Sequence, residues 1–415
     1  MKMLNQFGET DKQLKVYMKN KYENPAIVFG LSETGLALGR SLGKLGVKVY
    51  GVSYAKEIGY YSRYIEGKVF THPKENDEIA LQELSDFCNT LAKKPVVFIA
   101  SDVYLMLYAR NQEFFDKYFL HNLSNKKLII DIQDKYIQYK MALKANIDVP
   151  KTVFTDISKP IENQINELTY PVFIKARNVN IWRVKVSGSK KGFVIDNEEQ
   201  LIKKLDSLNK LEVPVIVQEI IKSSDDKNTK ISVFIDKKGN TKLAFTLKKI
   251  HQNPIHFGIA TCAQSIKDEK LIQIGTKLFN SINYIGVGSA EFKYDERDGK
   301  TKLIEINSRY WQQNALADLC GMNFPLMDYL CATGQNPEDI YRFDYGKKYL
   351  NLFSSYKSFK QYRKLNELTF RGWVSDIKGD KTIAFFHFDD FNIVYRILKR
   401  QILVNALAFR NKLRN

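Results

Sequence analysis

Residues 288–309 limit the possible folds of this chain more than any other segment of the sequence. The segment reads as two β-strands joined by a turn at positions 298–299. Glu305 and Asn307 are two residues apart, so they share one face of the return strand. A two-residue loop would shift Glu291 by one position relative to Glu305. A three-residue loop, with Gly299 in the left-handed conformation, would place Glu291 directly opposite Glu305.

Two carboxylates that face each other across a hairpin repel one another. A divalent cation between them removes the repulsion, and an amide oxygen is a suitable further ligand. The apolar context of the return strand argues against the alternative, a solvated acidic hairpin. We therefore predict a Mg²⁺ (or Mn²⁺) site of the nucleotide type at Glu291, Glu305 and Asn307.

The order E-F-x-x-D, turn, L-I-E-I-N-x-R resembles the ATP-grasp superfamily. This resemblance implies that Glu291, Glu305 and Asn307 bind the metal ions that bridge the ATP phosphates. It also implies that Arg309 contacts the transferring phosphate or the substrate, and so is a catalytic residue. ATP is the nucleotide expected by the same resemblance.

The resemblance continues upstream in the expected order. The sequence predicts a helix over 132–149, closed by Pro150. Asp134-Lys135 near its start matches the family motif, and by resemblance Lys135 reaches the ATP phosphates. Lys175 ends the apolar strand YPVFIKA, at the position of the second phosphate lysine, and is the other catalytic candidate. The alternative is a strand-end lysine that extends to solvent.

The segment VIVQEII resembles the hinge that holds adenine, which makes Glu219 and Ile221 candidates for adenine binding. A ribose-binding acid often follows in the family. Asp225 and Asp226 both fit this role, and Asp226 is preferred.

The loop after Lys175 departs from the family pattern because it has no glycine before Gly188. A similar arrangement occurs in carboxylate–amine ligases that resemble D-aspartate ligase. Arg183 and Lys185 then supply cationic donors in place of glycine amides. The alternative is a variable surface strand. A second basic segment lies near the acceptor or phosphate site in the resembling ligases, and here it contains Lys248, Lys249, His251 and His256.

The N-terminal part of the sequence reads as a parallel βαβ unit. A strand at 27–29 ends at Gly30, a leucine-rich helix follows, and the second strand covers 47–52. The apolar run 95–100 predicts a further buried parallel strand. The GLSETG turn lacks G-x-G-x-x-G spacing, so it is weak evidence for a dinucleotide.

We predict an α/β fold whose N-terminal lobe is a Rossmann-like parallel sheet, followed by a two-lobed ATP-grasp domain of α+β type. The predicted divisions are a lead-in at 1–24, the N-terminal domain at 25–130, the ATP-grasp domain at 131–335, and an aromatic and basic region at 336–415.

Residues 391–415 contain six Lys or Arg and no acid, and their apolar residues recur at helical spacing. A basic amphipathic helix of this kind can lie on an anionic membrane. The competing interpretation is a helix packed against the core, with its cations in water.

Charge and composition limit the remaining functional classes. A net charge of +18 fits nucleotide phosphates or anionic lipid, and no nucleic-acid motif accompanies it. No apolar run reaches the roughly 20 residues of a membrane span, and the N-terminus lacks the apolar core of a secretory signal. We therefore expect a cytoplasmic protein. Peripheral membrane association through the C-terminal helix stays open beside the alternative of packing against the core.

The resemblance implies an ATP-dependent ligase that activates a small-molecule carboxylate as an acyl phosphate and joins it to an amine. An anchoring helix would suit a role in cell-envelope or polysaccharide biosynthesis. Two alternatives stay open at this point: a non-catalytic nucleotide-binding homologue, and an NAD-dependent oxidoreductase built on the first βαβ unit.

Overall fold

The computed structural model describes residues 22–154, 168–178, 182, 185–186 and 192–399. The strands are β1 Ala26–Phe29, β2 Val49–Ser53, β3 Glu66–Val69, β4 Val96–Ile99, β5 Thr152–Phe154, β6 Val172–Ala176, β7 Gly192–Ile195, β8 Val215–Glu219, β9 Asn228–Ile235, β10 Thr241–Asn253, β11 Ile259–Ser265, β12 Gly286–Asp295, β13 Lys300–Asn307, β14 Lys348–Leu350 and β15 Lys381–Ile383. The helices are α1 Glu33–Lys44, α2 Asp77–Asn89, α3 Asp102–Arg110, α4 Gln112–Tyr118, α5 Lys126–Gln133, α6 Lys135–Lys144, α7 Glu198–Lys210, α8 Glu269–Ser281, α9 Asn314–Leu319, α10 Phe324–Ala332, α11 Leu352–Lys364 and α12 Phe370–Asp376.

The N-terminal lobe is built on a four-stranded parallel sheet in the order β3-β2-β1-β4. Every residue of β1 and β4 is buried, as expected for a parallel sheet covered by helices. Gly30 follows β1 with a φ of 85°, and a Cβ there would lie 2.7 Å from the Cβ of Ser101. Glycine is therefore required where the chain leaves the sheet, and the predicted parallel α/β lobe is confirmed.

Two further sheets follow along the chain. A small antiparallel sheet has the order β5-β8-β6-β7, and α7 packs against it through three buried leucines, Leu201, Leu205 and Leu208. A large seven-stranded sheet has the order β13-β12-β9-β10-β11-β14-β15. The predicted glutamate hairpin, β12–β13, forms one edge of this large sheet.

The segment around Asp134 differs from the predicted continuous helix over 132–149. The α5 helix ends at Gln133 and α6 starts at Lys135, because the Asp134 side chain accepts a hydrogen bond from the Tyr136 amide as an N-cap. The α6 helix ends at Lys144, and Asn146 then takes a left-handed φ of 54°. The break at Asp134, between α5 and α6, places the first turn of α6 next to the glutamate hairpin.

Residues 348–390 of the C-terminal region pack against the rest of the molecule. The β14 strand pairs with β11, and β15 extends the sheet by one more strand. Asp390 is buried and accepts hydrogen bonds from the Arg40 Nε at 2.9 Å and the Ser62 Oγ at 2.6 Å. The C-terminal region is thereby joined to the N-terminal lobe.

Residues 391–399 are helical, and the remainder of the predicted amphipathic helix lies outside the described residues, as does most of the lead-in. Ile393 is buried, and Asn392 Nδ2 donates a hydrogen bond to the Tyr61 carbonyl at 2.9 Å. Phe391 and Tyr395 are exposed. The first turns of this helix thus bind the N-terminal lobe while part of their apolar surface faces water.

Candidate active site

The β12–β13 hairpin places Glu291 directly opposite Glu305, with Ser289 opposite Asn307. The loop is neither of the two lengths considered above. Asp295 pairs with Lys300, which makes a four-residue loop, and a register shift between Glu291 and Phe292 restores the alignment of the two glutamates. Gly299 has the expected left-handed φ of 71°.

Lysines neutralise both facing carboxylates, and the two lysines beside Glu291 are buried. Glu291 Oε1 lies 2.9 Å from Lys230 Nζ, and its Oε2 lies 2.7 Å from Lys249 Nζ. Burial alone would raise the pKa of Glu291, but the two ammonium groups hold it well below its ordinary value. Glu305 Oε1 pairs with Lys135 Nζ at 2.6 Å. Lys135 therefore lies at the hairpin, as its predicted role requires.

The sequence argument missed Lys230, which lies on β9 next to β12 and is paired with Glu291 in the β-ladder. Lys249 was recognised only as part of a basic segment. A single lysine in an apolar strand carries no signal of its own, and these residues become recognisable only once the pairing of β9, β10 and β12 is known.

Lys175 lies at the end of β6 and is buried, so it does not extend to solvent. Its Nζ donates hydrogen bonds to Tyr139 Oη at 2.9 Å and to Gln218 Oε1 at 2.8 Å. Burial lowers the pKa of Lys175 to about 7, and the nearby Lys135 charge acts in the same direction. The amine therefore lies next to Lys135 with neutral hydrogen-bond partners.

Arg309 extends from the end of the hairpin to the N-terminal lobe. Its Nε donates to Asp102 Oδ1 at 2.5 Å, and its Nη2 donates to Asp102 Oδ2 at 3.3 Å. Asp102 follows β4 at the carboxyl edge of the parallel sheet. The predicted catalytic arginine thus lies where the large sheet meets the N-terminal lobe.

The predicted adenosine-binding residues follow β8. Glu219 ends this strand and accepts a hydrogen bond from the Thr169 amide at 3.3 Å, while Ile221 is buried. Asp226 is exposed and bonds to Ser224 Oγ at 2.5 Å. Asp225 instead bonds to Tyr362 and to the His256 amide.

The basic loop is described only in part. Arg183 lies outside the described residues. Lys185 is exposed and lies 3.2 Å from Glu212 Oε2, on the small sheet's side of the molecule. His251, from the second basic segment, is buried and lies 3.0 Å from Asp376.

The donor set at the hairpin fits a metal shared with a phosphate. Within the described part of the chain, no three His, Cys, Asp or Glu side chains come close enough to hold a metal by themselves. Two carboxylates and one amide on the hairpin provide half of an octahedral set, and Mg²⁺ usually takes its other ligands from water and phosphate oxygens.

Comparisons with known proteins agree with this geometry. Residues 134–336 match the family model "Carbamoyl-phosphate synthase L chain, ATP binding domain". A D-aspartate ligase from Enterococcus faecium (strain Aus0004) is 23% identical over 240 residues, which cover 56% of this chain and 57% of that ligase. The chain thus spans less than two thirds of this curated relative.

Solved structures share the fold at low sequence identity. N5-carboxyaminoimidazole synthetase from Staphylococcus aureus, complexed with ADP, superposes with a TM-score of 0.59 and 16% identity, over 77% of this chain and 80% of that one. L-amino acid ligase from Bacillus licheniformis gives a TM-score of 0.57 and 14% identity, with 75% of each chain covered.

Residues 134–336 therefore resemble an ATP-binding domain of the ATP-grasp class. The resemblance to ATP-grasp ligases predicted from the sequence is confirmed. Within the part of the chain that the structure describes, no helix has both the length and the apolar character needed to cross a bilayer.

Proposed function

We propose that this protein is an ATP-dependent ligase that phosphorylates a carboxylate and joins the resulting acyl phosphate to an amine. The observation that carries the proposal is the pair of facing carboxylates, Glu291 and Glu305, which lie among three lysines, two of them buried. A nucleotide with its divalent cation supplies the charges that such a set can bind. Positioning and charge neutralisation account for most of the catalysis in phosphoryl transfer.

Glu291, Glu305 and Asn307 are the proposed ligands of Mg²⁺ (or Mn²⁺), which would neutralise charge on the ATP phosphates. Lys135 and Lys175 are the proposed phosphate-binding lysines. Both lie near the hairpin, and an incoming phosphate would provide the anion that the Lys175 amine lacks among its protein hydrogen-bond partners.

Arg309 is the proposed residue for the transferring phosphate or the carboxylate substrate, since its guanidinium faces the junction with the N-terminal lobe. Glu219 and Ile221 are proposed to hold adenine, and Asp226 the ribose. Arg183 and Lys185 are proposed to cover the phosphates. For Lys185 this requires release from Glu212, an exposed ion pair that costs roughly 0–1 kcal/mol to break.

The test is ADP release from MgATP with single acids and acid–amine pairs, followed by mass spectrometry of the product. D-aspartate is the first acid to try, because the curated relative is a D-aspartate ligase. Product formation that requires acid, amine and Mg²⁺ together is the expected result. Nucleotide binding without turnover for any pair would favour a non-catalytic homologue, and nicotinamide fluorescence quenching without ATP binding would favour an oxidoreductase.

We place this reaction in cell-envelope or polysaccharide biosynthesis and propose that the C-terminal helix contacts anionic lipid. Phe391, Tyr395 and Leu398 are exposed on the helical segment 391–399, next to Arg396 and Lys399. Apolar side chains beside cations are the features that bind interfacial helices to anionic membranes.

Co-sedimentation with anionic vesicles at low salt tests this contact. The full chain should pellet with vesicles, and the double variant Phe391→Ser/Tyr395→Ser should stay in the supernatant. Leu143→Ser, which changes an exposed apolar residue elsewhere, is the control. A wild-type chain that stays in the supernatant would contradict the membrane contact.

A further inference from the structure

A cavity of about 410 Å³ lies at the carboxyl edge of the N-terminal parallel sheet. Glu33 and Glu57 line it from the N-terminal lobe, Gln312 lines it from the segment after β13, and Phe385 and Ile397 line it from the C-terminal region. In open parallel sheets, ligands bind in crevices outside the carboxyl ends of the strands. The cavity occupies such a position and is formed by three separate parts of the chain.

The two glutamates of this cavity have only neutral hydrogen-bond partners. Glu33 Oε2 accepts hydrogen bonds from Gln312 Nε2 at 2.8 Å and Asn351 Nδ2 at 2.9 Å. Glu33 Oε1 is buried and accepts no hydrogen bond from the described residues. Glu57 Oε2 accepts a hydrogen bond from the Leu31 amide at 2.5 Å. Over the described ranges, neither carboxylate lies in an ion pair.

This arrangement is unusual in a chain with a net charge of +18. A buried anion without a cation is costly, so proteins pair such groups or keep them protonated. The neutral amides of Gln312 and Asn351 fix the orientation of Glu33 and leave its second oxygen available. That oxygen can accept a hydrogen bond from a ligand whose donor group is positively charged.

The cavity is close in the chain and in the fold to the proposed phosphoryl-transfer site. Gln312 comes three residues after Arg309, and Asp102, which binds Arg309, follows β4 at the same sheet edge as Glu33. Gly30, three residues before Glu33, lies within contact distance of Ser101, the residue before Asp102. A small substrate in this cavity would therefore lie beside the residues that handle the acyl phosphate.

We propose that this cavity binds the amine substrate of the ligase as an ammonium ion, with Glu33 and Glu57 as its recognition carboxylates. This inference rests on the proposed function for the identity of the substrate, while binding of an ammonium group can be measured without turnover. The Glu33 Oε1 atom accepts one N–H of the ammonium, and Glu57 supplies a second negative charge. Burial raises the pKa of Glu33 to about 8, so ammonium binding near neutral pH releases a proton from this carboxyl group.

An anion at the N-terminus of α1 is the competing occupant, since free helix amides attract negative charge and Ser32 makes no side-chain cap. Glu57 and the ionised form of Glu33 in the same cavity oppose it by repulsion. The choice of ligands in the experiment below distinguishes the two.

Isothermal titration calorimetry with the full chain, in the absence of ATP, tests the proposal. The probes are D- and L-amino-acid amides, which carry an ammonium and no carboxylate, and the N-acetylated amino acids, which carry the reverse. The amides should bind the wild-type protein and the N-acetylated acids should not. Glu33→Gln and Glu57→Gln should each weaken amide binding by roughly tenfold or more, the loss expected for one charge-assisted hydrogen bond.

The matched control is Glu75→Gln, which removes one exposed carboxylate from the same lobe outside the cavity and should bind the amides like the wild-type protein. Melting temperatures confirm that each variant is folded. The proposal is overturned if no amide binds the wild-type protein, if the N-acetylated acids bind in their place, or if both glutamine variants bind normally. If ADP release persists in any of these cases, the ligase proposal is unaffected. If the amides bind but the protein shows no ATP turnover, the ammonium-binding site is unaffected and the ligase proposal fails.

Discussion

The glutamate hairpin and the N-terminal cavity both hold partly buried carboxyl groups, but the two regions balance the charge of these groups in opposite ways. Glu291 and Glu305 are paired with lysine ammonium groups. Glu33 has amide donors and Glu57 a backbone amide, with no cation among the described residues near either. At the glutamate hairpin, ATP phosphates can bind the lysines, and a metal ion can then take the place of the lysines beside the carboxylates. The N-terminal cavity, where no described cation lies near either carboxyl group, favours a positively charged ligand.

The largest expected effect is loss of turnover in Glu305→Gln. The change keeps the shape of the side chain and removes one of the two charges proposed to hold the metal. We expect ADP release to fall roughly 10²–10³-fold, as when one charge-stabilising group is removed from an active site. Glu296→Gln, an exposed acid on the same hairpin, is the control. Wild-type rates in Glu305→Gln would exclude the proposed metal site.

The second prediction compares stability in the two regions. Glu291→Gln leaves Lys230 and Lys249 buried without their shared carboxylate, which should cost about 3–5 kcal/mol of the free energy of unfolding. Glu33→Gln removes a carboxylate that has no cation and should not lower stability. Thermal unfolding of both variants at pH 7 measures the difference. Equal melting temperatures would show that the two regions are electrostatically alike.

The third prediction concerns Lys175 and nucleotide binding. Its folded pKa of about 7 lies below the ordinary 10.5, so near pH 8 the amine is mostly neutral. A bound phosphate raises that pKa, and the protein should take up a proton on binding nucleotide. Calorimetry in buffers of different ionisation enthalpy measures this uptake.

The matching variant is Lys175→Met, which should lose the proton uptake and weaken ATP binding roughly tenfold. The melting temperature of the nucleotide-free protein should stay nearly unchanged. A large loss of stability without a change in ATP affinity would indicate a purely structural lysine.

The last prediction is a pH dependence of stability from Glu33. Its pKa is about 8 in the folded protein, against 4.5 ordinarily. The folded state therefore holds the extra proton between these pH values, and this group makes the free energy of unfolding fall as pH rises from 4.5 towards 8. The melting temperature of Glu33→Gln relative to wild type should increase across this window. A constant difference would mean that Glu33 ionises normally.

Local sequence patterns were sufficient for the N-terminal sheet and for most strand and helix positions. They left the alignment of Glu291 with Glu305 open between two loop lengths, and the metal argument favoured the facing arrangement that the structure shows. The predicted length of the hairpin loop was wrong because the register shift between Glu291 and Phe292 depends on packing with neighbouring strands. The turn and the shift offset each other, so the facing glutamates were predicted correctly with an incorrect loop.

Other features depend on contacts between distant parts of the chain. The ion pairs of Lys230 and Lys249 require the strand order of the large sheet, and the Arg309–Asp102 contact spans 207 residues. The β14 and β15 strands are three residues each and lie in an aromatic and basic region without alternation. Their place in the sheet comes from tertiary pairing, which outweighs weak local propensity.

The contact of Arg40 with Asp390 has a consequence for how the protein is made. Arg40 is fixed by Asp390 Oδ2 and by the carbonyls of Ala384 and Phe385, which leave the ribosome some 350 residues later. During translation, Arg40 in the N-terminal lobe therefore lacks these partners until residues 384–390 have been synthesised. A message truncated shortly before codon 384 would yield a chain whose first lobe keeps this arginine unpaired. Such a product would be a substrate for proteolytic quality control, although it contains every residue proposed to bind ATP.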